Sequence, residues 1–274
     1  MREPAIKWSG SKRKMAKEIV DCMPDTIEVY YEPFCGGCSV LRYLLESGKK
    51  VKRYICSDIN EDLINLWEKI KENPDFLYKS YKVYWQELNK NEDLERKKEY
   101  FYKMRDKLNK EHLPEDFLFI MRTVTNGMPR YNKDKEFNNS FHISRKGIEP
   151  DRLHKILLEW SEILNVNNVE FICQDYKDIE SEKGDVLYLD PPYACTKGMY
   201  YGGIDLGEFF NWLRVQQGYY LLSFDGISGN TDNTYPIPQD IYSEHKYLKS
   251  GDSSFKRLLG NKKDRMVFES LYLK

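Results

Sequence analysis

At 274 residues, the chain is long for one domain and short for two full-sized ones, which predicts a core domain with a large insertion. Its 43 basic and 44 acidic residues nearly balance, which excludes a uniformly basic nucleic-acid coat but not local basic patches. No apolar run approaches the roughly 20 residues that span a bilayer, and the first residues form no signal peptide. We therefore expect a soluble, cytoplasmic protein with no membrane partner.

The N-terminal segment is basic and contains a glycine turn. Residues 1–17 hold six basic side chains and one acid, and a polar turn around Trp8 and Lys12 leads into a helix over 15–23. An ordinary solvated helix start with an exposed Trp8 is the alternative to a functional site here.

A strand, a glycine loop and a helix follow. The strand 27–31 leads into the loop Glu32-Pro33-Phe34-Cys35-Gly36-Gly37-Cys38, after which Ser39 can cap a helix. This order lets a ligand approach backbone N–H groups at a helix start. A second strand, 52–56, ends near Asp58, where a carboxylate can accept from both ribose hydroxyls of an adenosine cofactor.

Several phosphate and metal motifs do not occur in this sequence. It contains neither G-x-G-x-x-G after the first strand nor G-x-x-x-x-G-K-[ST], which favours an adenosine ligand without a phosphate chain. Cys35 and Cys38 have C-x-x-C spacing, but no second pair follows at zinc-ribbon spacing and the four histidines are scattered. We predict no metal site.

The region 61–164 has a helical and highly charged pattern, interrupted by a stretch of different character at 123–142. This stretch has turn signals at Asn126-Gly127 and Asn132-Lys133-Asp134, which predict a hairpin or a long loop. Between 121 and 155 there are eight Lys or Arg residues and four acids. Arg and Asn side chains on such an element can bind guanine and adenine edges bidentately, and a polar surface loop is the alternative.

A strand over 169–173 ends near Asp175, whose carboxylate could contact a cofactor base or cap the next turn. A helix over 206–217, a buried strand over 219–224 and a final hairpin over 242–273 are predicted farther along the chain.

The stretch Asp190-Pro191-Pro192-Tyr193 directly follows the apolar run 185–189, which has the pattern of a buried strand. Open α/β sheets bind ligands beyond the carboxyl ends of their strands. Here a carboxylate, two proline-fixed carbonyl oxygens and the ring of Tyr193 suit a planar base that carries an amino group, such as a purine or cytosine. The alternative is a tight turn with Tyr193 on the surface.

Five motifs occur in the order found in Dam-like adenine-N6 DNA methyltransferases, and the chain resembles this family over nearly its whole length. The first, second and last of these motifs together are highly specific. The motifs are Lys7-Trp8-Ser9-Gly10-Ser11-Lys12, Glu32-Pro33-Phe34-Cys35-Gly36-Gly37, Asp58-Ile59-Asn60, the loop from Asn126-Gly127 to Arg130-Tyr131-Asn132, and Asp190-Pro191-Pro192-Tyr193.

The resemblance implies an α/β fold with a Rossmann-like methyltransferase sheet and an inserted, mainly helical DNA-recognition subdomain bearing a β-hairpin. The catalytic domain is expected at 1–60 and 165–274, and the target-recognition domain at 61–164. The predicted catalytic residues are Asp190, Pro191, Pro192 and Tyr193. The predicted cofactor-binding residues are Trp8, Lys12, Glu32, Pro33, Phe34, Gly36, Asp58, Asp175 and Asp190. The predicted DNA-binding residues are Asn126, Arg130, Tyr131 and Asn132.

The resemblance also implies S-adenosylmethionine as cofactor and duplex DNA as partner, in the nucleoid of a prokaryotic or phage-infected cell. A cognate restriction endonuclease is a candidate partner, which would make the chain part of a restriction-modification system. Ser11 and Cys38 depart from glycines common in the family. Thr125 stands where GATC-specific members carry a tyrosine, which argues against GATC as the site.

The predicted reaction is methyl transfer to the amino group of an adenine that has been flipped out of the duplex. Asp190 and the main-chain carbonyl of Pro191 would accept hydrogen bonds from that amino group, and Tyr193 would stack on the base. Positioning and electrostatics then suffice, without a covalent nucleophile or a metal. Two alternatives are the same chemistry on RNA or on cytosine N4, and a non-catalytic DNA-binding relative.

Overall fold

The computed structural model describes residues 3–144, 146–192, 204–252 and 266–274. Within them the chain forms two compact units, which we name the helical unit and the sheet unit. The helical unit comprises residues 3–11 and Asp58–Cys173. The sheet unit comprises residues 12–57, 174–192, 204–252 and 266–274.

The described residues form nine strands and eight α-helices. The strands are β1 Thr26–Glu32, β2 Lys50–Asp58, β3 Glu170–Cys173, β4 Val186–Leu189, β5 Tyr219–Phe224, β6 Ile227–Ser228, β7 Thr231–Asp232, β8 Glu244–Asp252 and β9 Met266–Leu273. The helices are α1 Ala16–Asp21, α2 Ser39–Glu46, α3 Glu61–Glu72, α4 Pro74–Leu88, α5 Leu94–Glu111, α6 Pro114–Thr123, α7 Pro150–Val166 and α8 Leu206–Val215. None of these helices is both long and apolar enough to cross a membrane.

Parallel strands in the order β2-β1-β4-β5 form the centre of the sheet unit. The chain moves outward from β1 to β2 on one side and from β4 to β5 on the other. The order of the strands therefore reverses between β1 and β4, which is the topological switch point of a Rossmann-like sheet. The predicted Rossmann-like α/β fold is confirmed.

Antiparallel strands complete the sheet beyond β5. β9 pairs with β5, and β8 pairs with β9 over most of its length. The predicted C-terminal hairpin over 242–273 thus exists, with β8 continuing to Asp252. Each of these strands gains ladder hydrogen bonds by pairing, since an isolated strand would leave its N–H and C=O groups unpaired.

The start of α2 differs from the sequence prediction. Cys38, and not Ser39, is the N-cap residue, with φ 49° and ψ 39°. This left-handed conformation is one that glycine adopts at little cost, which explains why a glycine suits position 38. The Cys38 side chain is fully buried, so the thiol fills space that a glycine would leave empty.

The helical unit packs around tryptophan. The indole of Trp67 on α3 lies 4.9 Å from that of Trp160 on α7 and stacks on Phe171 of β3 at 5.6 Å. All three residues are less than a tenth exposed. Burial of such large rings is a main source of stability. The apolar positions that supply them explain why this highly charged sequence still has a helical pattern.

The segment from Val124 to Phe141, hereafter the 124–141 loop, connects α6 to the residues before α7. It contains a 3₁₀ turn at Thr125–Gly127 and two isolated antiparallel bridges, Val124 to Phe141 and Tyr131 to Phe137. The element therefore has the course of the predicted hairpin, with single bridges in place of two regular strands.

Candidate active site

The switch point brings two sequence motifs to one edge of the sheet. β1 ends at Glu32 and its parallel neighbour β4 ends at Leu189, so the glycine loop and Asp190 both begin at carboxyl ends of adjoining strands. A crevice of this kind is where open α/β sheets bind ligands.

A buried lysine stands at this edge. The Nζ atom of Lys12 lies 2.7 Å from Oδ2 of Asp190 and 3.3 Å from Oε2 of Glu269. The lysine side chain is only 4% exposed, whereas those of Asp190 and Glu269 are 21% and 18% exposed. Burial alone would lower the pKa of Lys12, but the two carboxylates outweigh it and raise that pKa above its usual range. Lys12 is therefore a permanent cation.

The Asp190-Pro191-Pro192 stretch is held by its prolines as well as by Lys12. Pro191 is buried and Pro192 is half-buried, and neither residue has an N–H to donate. Asp190 remains accessible enough to receive a hydrogen bond from a ligand. Tyr193, the last predicted catalytic residue, lies outside the described residues.

Glu32 is a buried carboxyl group with two internal partners. Its Oε2 accepts a hydrogen bond from the Tyr30 hydroxyl at 2.6 Å and another from the Leu41 N–H at 3.0 Å. Burial raises the pKa of Glu32 to about 8, which means that the group is mainly protonated near neutral pH. The structure thus gives Glu32 the role of joining the end of β1 to the start of α2.

The glycine loop is shaped by two backbone hydrogen bonds. The Cys35 N–H donates to the Ser57 carbonyl at 3.0 Å, and the Cys38 N–H donates to the Cys35 carbonyl at 2.7 Å. Gly36, which is buried, has φ 44°. Glycine adopts such a φ at little cost, so Gly36 forms this turn without backbone strain.

Aromatic packing fixes the start of this loop. The ring of Phe34 lies 5.5 Å from that of Tyr176 and 6.1 Å from that of Phe209, and the preceding Pro33 is buried. Asp175 precedes Tyr176, and its Oδ1 accepts the Lys177 N–H at 3.0 Å. The sequence left two roles open for Asp175, contact with a cofactor base and capping of the next turn. The structure shows Asp175 as the cap of that turn.

Two acids near Lys12 were missed by the sequence analysis. Asp225 follows β5, and its pKa is raised to about 6 because burial and then Glu269 raise it by more than Lys12 lowers it. Glu269 is the second partner of Lys12. The signal for Glu269 was a single carboxylate inside the apolar run of β9, which is costly to bury unless a cation pairs with it.

In the helical unit, Asp58 ends β2 and its Oδ1 accepts the Asn60 N–H at 3.0 Å. Trp8, also predicted to bind the cofactor, is half-buried in the segment beside the 3₁₀ turn of the 124–141 loop. There the Ser9 N–H donates to the Gly127 carbonyl at 2.9 Å. A Cβ atom at Gly127, where φ is 62°, would lie 2.8 Å from the Lys7 carbonyl oxygen, so this contact requires glycine.

The predicted DNA-binding residues divide into two groups. Asn126 and Arg130 are exposed, and Asn126 has a left-handed φ of 59°. Tyr131 is 9% exposed, and its hydroxyl accepts a hydrogen bond from Asn60 Nδ2 at 2.8 Å. Asn132 Oδ1 accepts the N–H groups of residues 134 and 136, which forms the turn. Asn126 and Arg130 are thus available to a ligand, whereas Tyr131 and Asn132 shape the loop.

An asparagine of α5 supports the same loop. Asn109 Nδ2 donates to the Phe137 carbonyl at 3.1 Å, and its Oδ1 accepts the Phe137 N–H at 2.8 Å. The side-chain amide thereby satisfies both backbone groups of Phe137, as a neighbouring strand would. The loop is therefore fastened to a helix and holds its exposed side chains on a fixed base.

Comparison with known proteins shows which family this chain matches. The sequence profile of the family described as D12 class N6 adenine-specific DNA methyltransferase matches residues 8–212. The Type II methyltransferase M.MjaIII of Methanocaldococcus jannaschii is 32% identical over 207 residues, covering 70% of this chain and 69% of that protein. A DNA adenine methylase of Haemophilus influenzae is 30% identical over 197 residues, covering 70% and 64% respectively.

The chain thus spans 69% and 64% of the lengths of these two relatives. Among solved structures, the rRNA methyltransferase aviRa from Streptomyces viridochromogenes is similar with a TM-score of 0.41 at 12% sequence identity, covering 97% of this chain and 86% of that chain. This similarity is too weak to bear on the substrate.

Proposed function

Because this chain belongs to the family of D12 class N6 adenine-specific DNA methyltransferases, we propose that it methylates N6 of a flipped adenine in duplex DNA, with S-adenosylmethionine as donor. The observation that carries this proposal is the buried ammonium of Lys12, 2.7 Å from the Asp190 carboxylate at the carboxyl end of β4. Such a pair fixes the position and the charge of the carboxylate that would meet the adenine.

The charges around Lys12 suit a cationic donor. Asp190, Glu269 and Asp225 supply three carboxyl groups around the ammonium of Lys12, and Asp225 is ionised mainly above pH 6. Carboxylates in a partly buried place favour a ligand that carries a sulfonium and an amino-acid ammonium group. When bound, S-adenosylmethionine supplies a methyl group activated by its sulfonium sulfur.

Asp190 and Pro191 would act on the adenine amino group. An aromatic amino nitrogen is a poor nucleophile because its lone pair is delocalised into the ring. Hydrogen bonds from its two protons to the Asp190 carboxylate and to the Pro191 carbonyl favour a pyramidal nitrogen with a localised lone pair. As positive charge develops on that nitrogen, the nearby carboxylate stabilises it. Lys12 contributes by orienting the Asp190 carboxylate.

Purified protein incubated with radiolabelled S-adenosylmethionine tests the proposal. The nucleic acids to be compared are random-sequence duplex DNA, the same DNA as single strands, and RNA of matching sequence. We expect label in N6-methyladenine from the duplex and none in methylcytosine. Label in RNA alone, or in no nucleic acid, would contradict the proposal and favour one of the two alternatives raised by the sequence.

Donor binding is expected to depend on Asp58. A carboxylate on the ribose hydroxyls forms charge-assisted hydrogen bonds, each contributing about 1.5 to 3 kcal/mol. Asp58→Ala should therefore weaken S-adenosylmethionine at least about tenfold in isothermal titration calorimetry.

Asp58→Asn is the matched control, because an amide oxygen can still accept the Asn60 N–H that Asp58 receives at 3.0 Å. If the charge-assisted bonds are responsible, Asp58→Asn should lose much of the affinity as well. If Asp58→Asn binds like the wild type, the carboxylate serves only the turn and the ribose contact is refuted.

Sequence selectivity is expected to depend on Arg130, which is exposed on the 124–141 loop. If its guanidinium binds a base edge bidentately, Arg130→Ala should cost about 1 to 3 kcal/mol on the recognition site and relax selectivity at one base pair. Sequencing the methylated adenines of a randomised DNA pool measures both effects.

Lys133→Ala, which removes another exposed cation from the same loop, is the comparison for a phosphate contact. That variant should lower methylation of all sequences alike and reduce the salt slope of binding by about one unit. If Arg130→Ala leaves the recognised sequence unchanged and only lowers total methylation, Arg130 binds the backbone and does not read a base.

The proposed function also assigns roles to the inserted residues 61–164 and to partner molecules. We propose 61–164 as the target-recognition domain, with Asn126 and Arg130 as the DNA contacts that Tyr131 and Asn132 hold in place. For the donor we propose Trp8, Pro33, Phe34, Gly36 and Asp175 as further binding residues, with Glu32 as support of the loop. A nucleoid-associated location and a cognate restriction endonuclease belong to the same proposal, since one relative is named a Type II methyltransferase.

A further inference from the structure

Hydrogen bonds of Asn60 link Asp58, the start of α3 and the 124–141 loop within the helical unit. Its backbone N–H donates to Asp58 Oδ1 at 3.0 Å, and its side-chain Oδ1 accepts the Leu63 N–H at 3.2 Å as the N-cap of α3. Its Nδ2 donates to the Tyr131 hydroxyl at 2.8 Å. Because Asn60 is 3% exposed, water cannot easily replace these partners.

Tyr131 connects Asn60 to the 124–141 loop. Its ring meets Phe137 edge-on at 5.4 Å, and the two residues form one of the antiparallel bridges of the loop. The adjacent Arg130 carbonyl accepts the Asn138 N–H at 2.8 Å. In extended chain, neighbouring side chains point to opposite faces, so an inward Tyr131 places Arg130 outward.

From these contacts we propose that Asn60 and Tyr131 couple the donor carboxylate Asp58 to the DNA-reading side chain Arg130. This inference rests on the proposed function, in which Asp58 holds the ribose and Arg130 contacts DNA. Asn60 and Tyr131 are positioning residues, since neither is assigned a contact with donor or base.

The physical basis is the sharing of one carboxylate. The Asp58 oxygen that receives the Asn60 N–H belongs to the group proposed to accept from the ribose, so a bound donor orders Asp58 and the turn to Asn60. Asn60 in turn orders Tyr131 and the arm of the loop that carries Arg130. A donor that stabilises this arrangement of the loop lowers the cost of keeping Arg130 in place when DNA binds, which gives positive coupling. Coupling of this kind is reciprocal, so DNA must tighten donor binding by the same factor.

The experiment measures duplex affinity by fluorescence anisotropy, with and without saturating S-adenosylhomocysteine, which prevents turnover. The duplex carries the site found by sequencing methylated adenines. In the wild type we expect the added nucleoside to tighten DNA binding by at least about fivefold, the lower end of typical coupling. In Tyr131→Phe, which removes only the hydroxyl, the tightening should fall to about twofold or less.

Asn60→Ser provides an independent route, because serine still caps α3 but is too short to reach the hydroxyl of Tyr131. The double variant should lose no more coupling than either single variant, since both remove the same hydrogen bond. Tyr81→Phe is the matched control. It removes a buried hydroxyl that bonds the backbone of Ile148 elsewhere in the helical unit, and it should retain the wild-type ratio.

Two results would overturn the inference. One is a wild type whose DNA affinity does not respond to S-adenosylhomocysteine. The other is a Tyr131→Phe variant that retains the full wild-type ratio. Methylation of the duplex is measured with the same preparations: a wild type that methylates but shows either result refutes the coupling alone, whereas a wild type that methylates no duplex refutes the proposed function with it.

Discussion

Replacing Asp190 with alanine is expected to lower the rate of methyl transfer by at least about a hundredfold, while the protein remains folded. The loss follows because Asp190 is proposed to accept a hydrogen bond from the amino group that becomes positive, and removing one such preorganised partner typically costs about 10²- to 10³-fold. The fold should persist because Glu269, 3.3 Å from Lys12, still pairs with the buried ammonium.

Single-turnover methylation measures the effect of Asp190→Ala, and circular dichroism with thermal unfolding checks the fold. Asp225→Asn is the charge-matched control, since it also removes a carboxylate near Lys12 but lies beyond β5 and outside the catalytic motif. Its rate should fall by less than the hundredfold expected for Asp190→Ala. Equal losses in the two variants would mean that the local charge matters and that Asp190 makes no specific contact.

Replacing Lys12 with methionine should have the second largest effect, on both stability and donor binding. The change removes the ammonium that lies 2.7 Å from Asp190 and 3.3 Å from Glu269. Breaking a buried ion pair from one side costs about 3 to 5 kcal/mol, and we expect the lower end of this range because the two carboxylates are 21% and 18% exposed. Urea unfolding gives the free energy, and calorimetry gives the affinity for S-adenosylmethionine.

The pH dependence of this loss has a defined sign. The folded-state pKa of Lys12 lies above its ordinary value of 10.5, so the stabilisation is complete below pH 10.5 and is lost as pH rises through the folded-state pKa. The difference in unfolding free energy between wild type and Lys12→Met should thus be constant between about pH 7 and pH 9 as far as Lys12 is concerned.

Two further variants make the Lys12 prediction falsifiable. Lys12→Met combined with Glu269→Gln should recover part of the stability, because the second change removes one of the two carboxylates that lost the Lys12 ammonium. Lys17→Met is the control, since this lysine is 65% exposed and pairs only across one turn with Asp21, and no measurable change is expected. A Lys12→Met protein as stable as the Lys17→Met protein would show that the buried pair contributes nothing.

The sequence by itself determined the elements whose patterns are local. The apolar runs before Asp190 and at Tyr219–Phe224 predicted β4 and β5, and the glycine loop after β1 predicted the helix α2, although not its N-cap residue. Periodicity and turn chemistry act over a few residues, so they can be identified without knowing the rest of the fold. The motifs also carried the family resemblance, which the profile match to residues 8–212 confirmed.

Only the tertiary structure decided which side chains meet. Glu269, on the last strand, pairs with Lys12 near the start of the chain because β9 joins the sheet beside β5. Inside the 124–141 loop, the structure buries Tyr131 against Asn60 and leaves Arg130 exposed, a distinction that the sequence prediction did not make. Such partners are distant in sequence, and their meeting depends on strand order and burial, which local patterns do not encode.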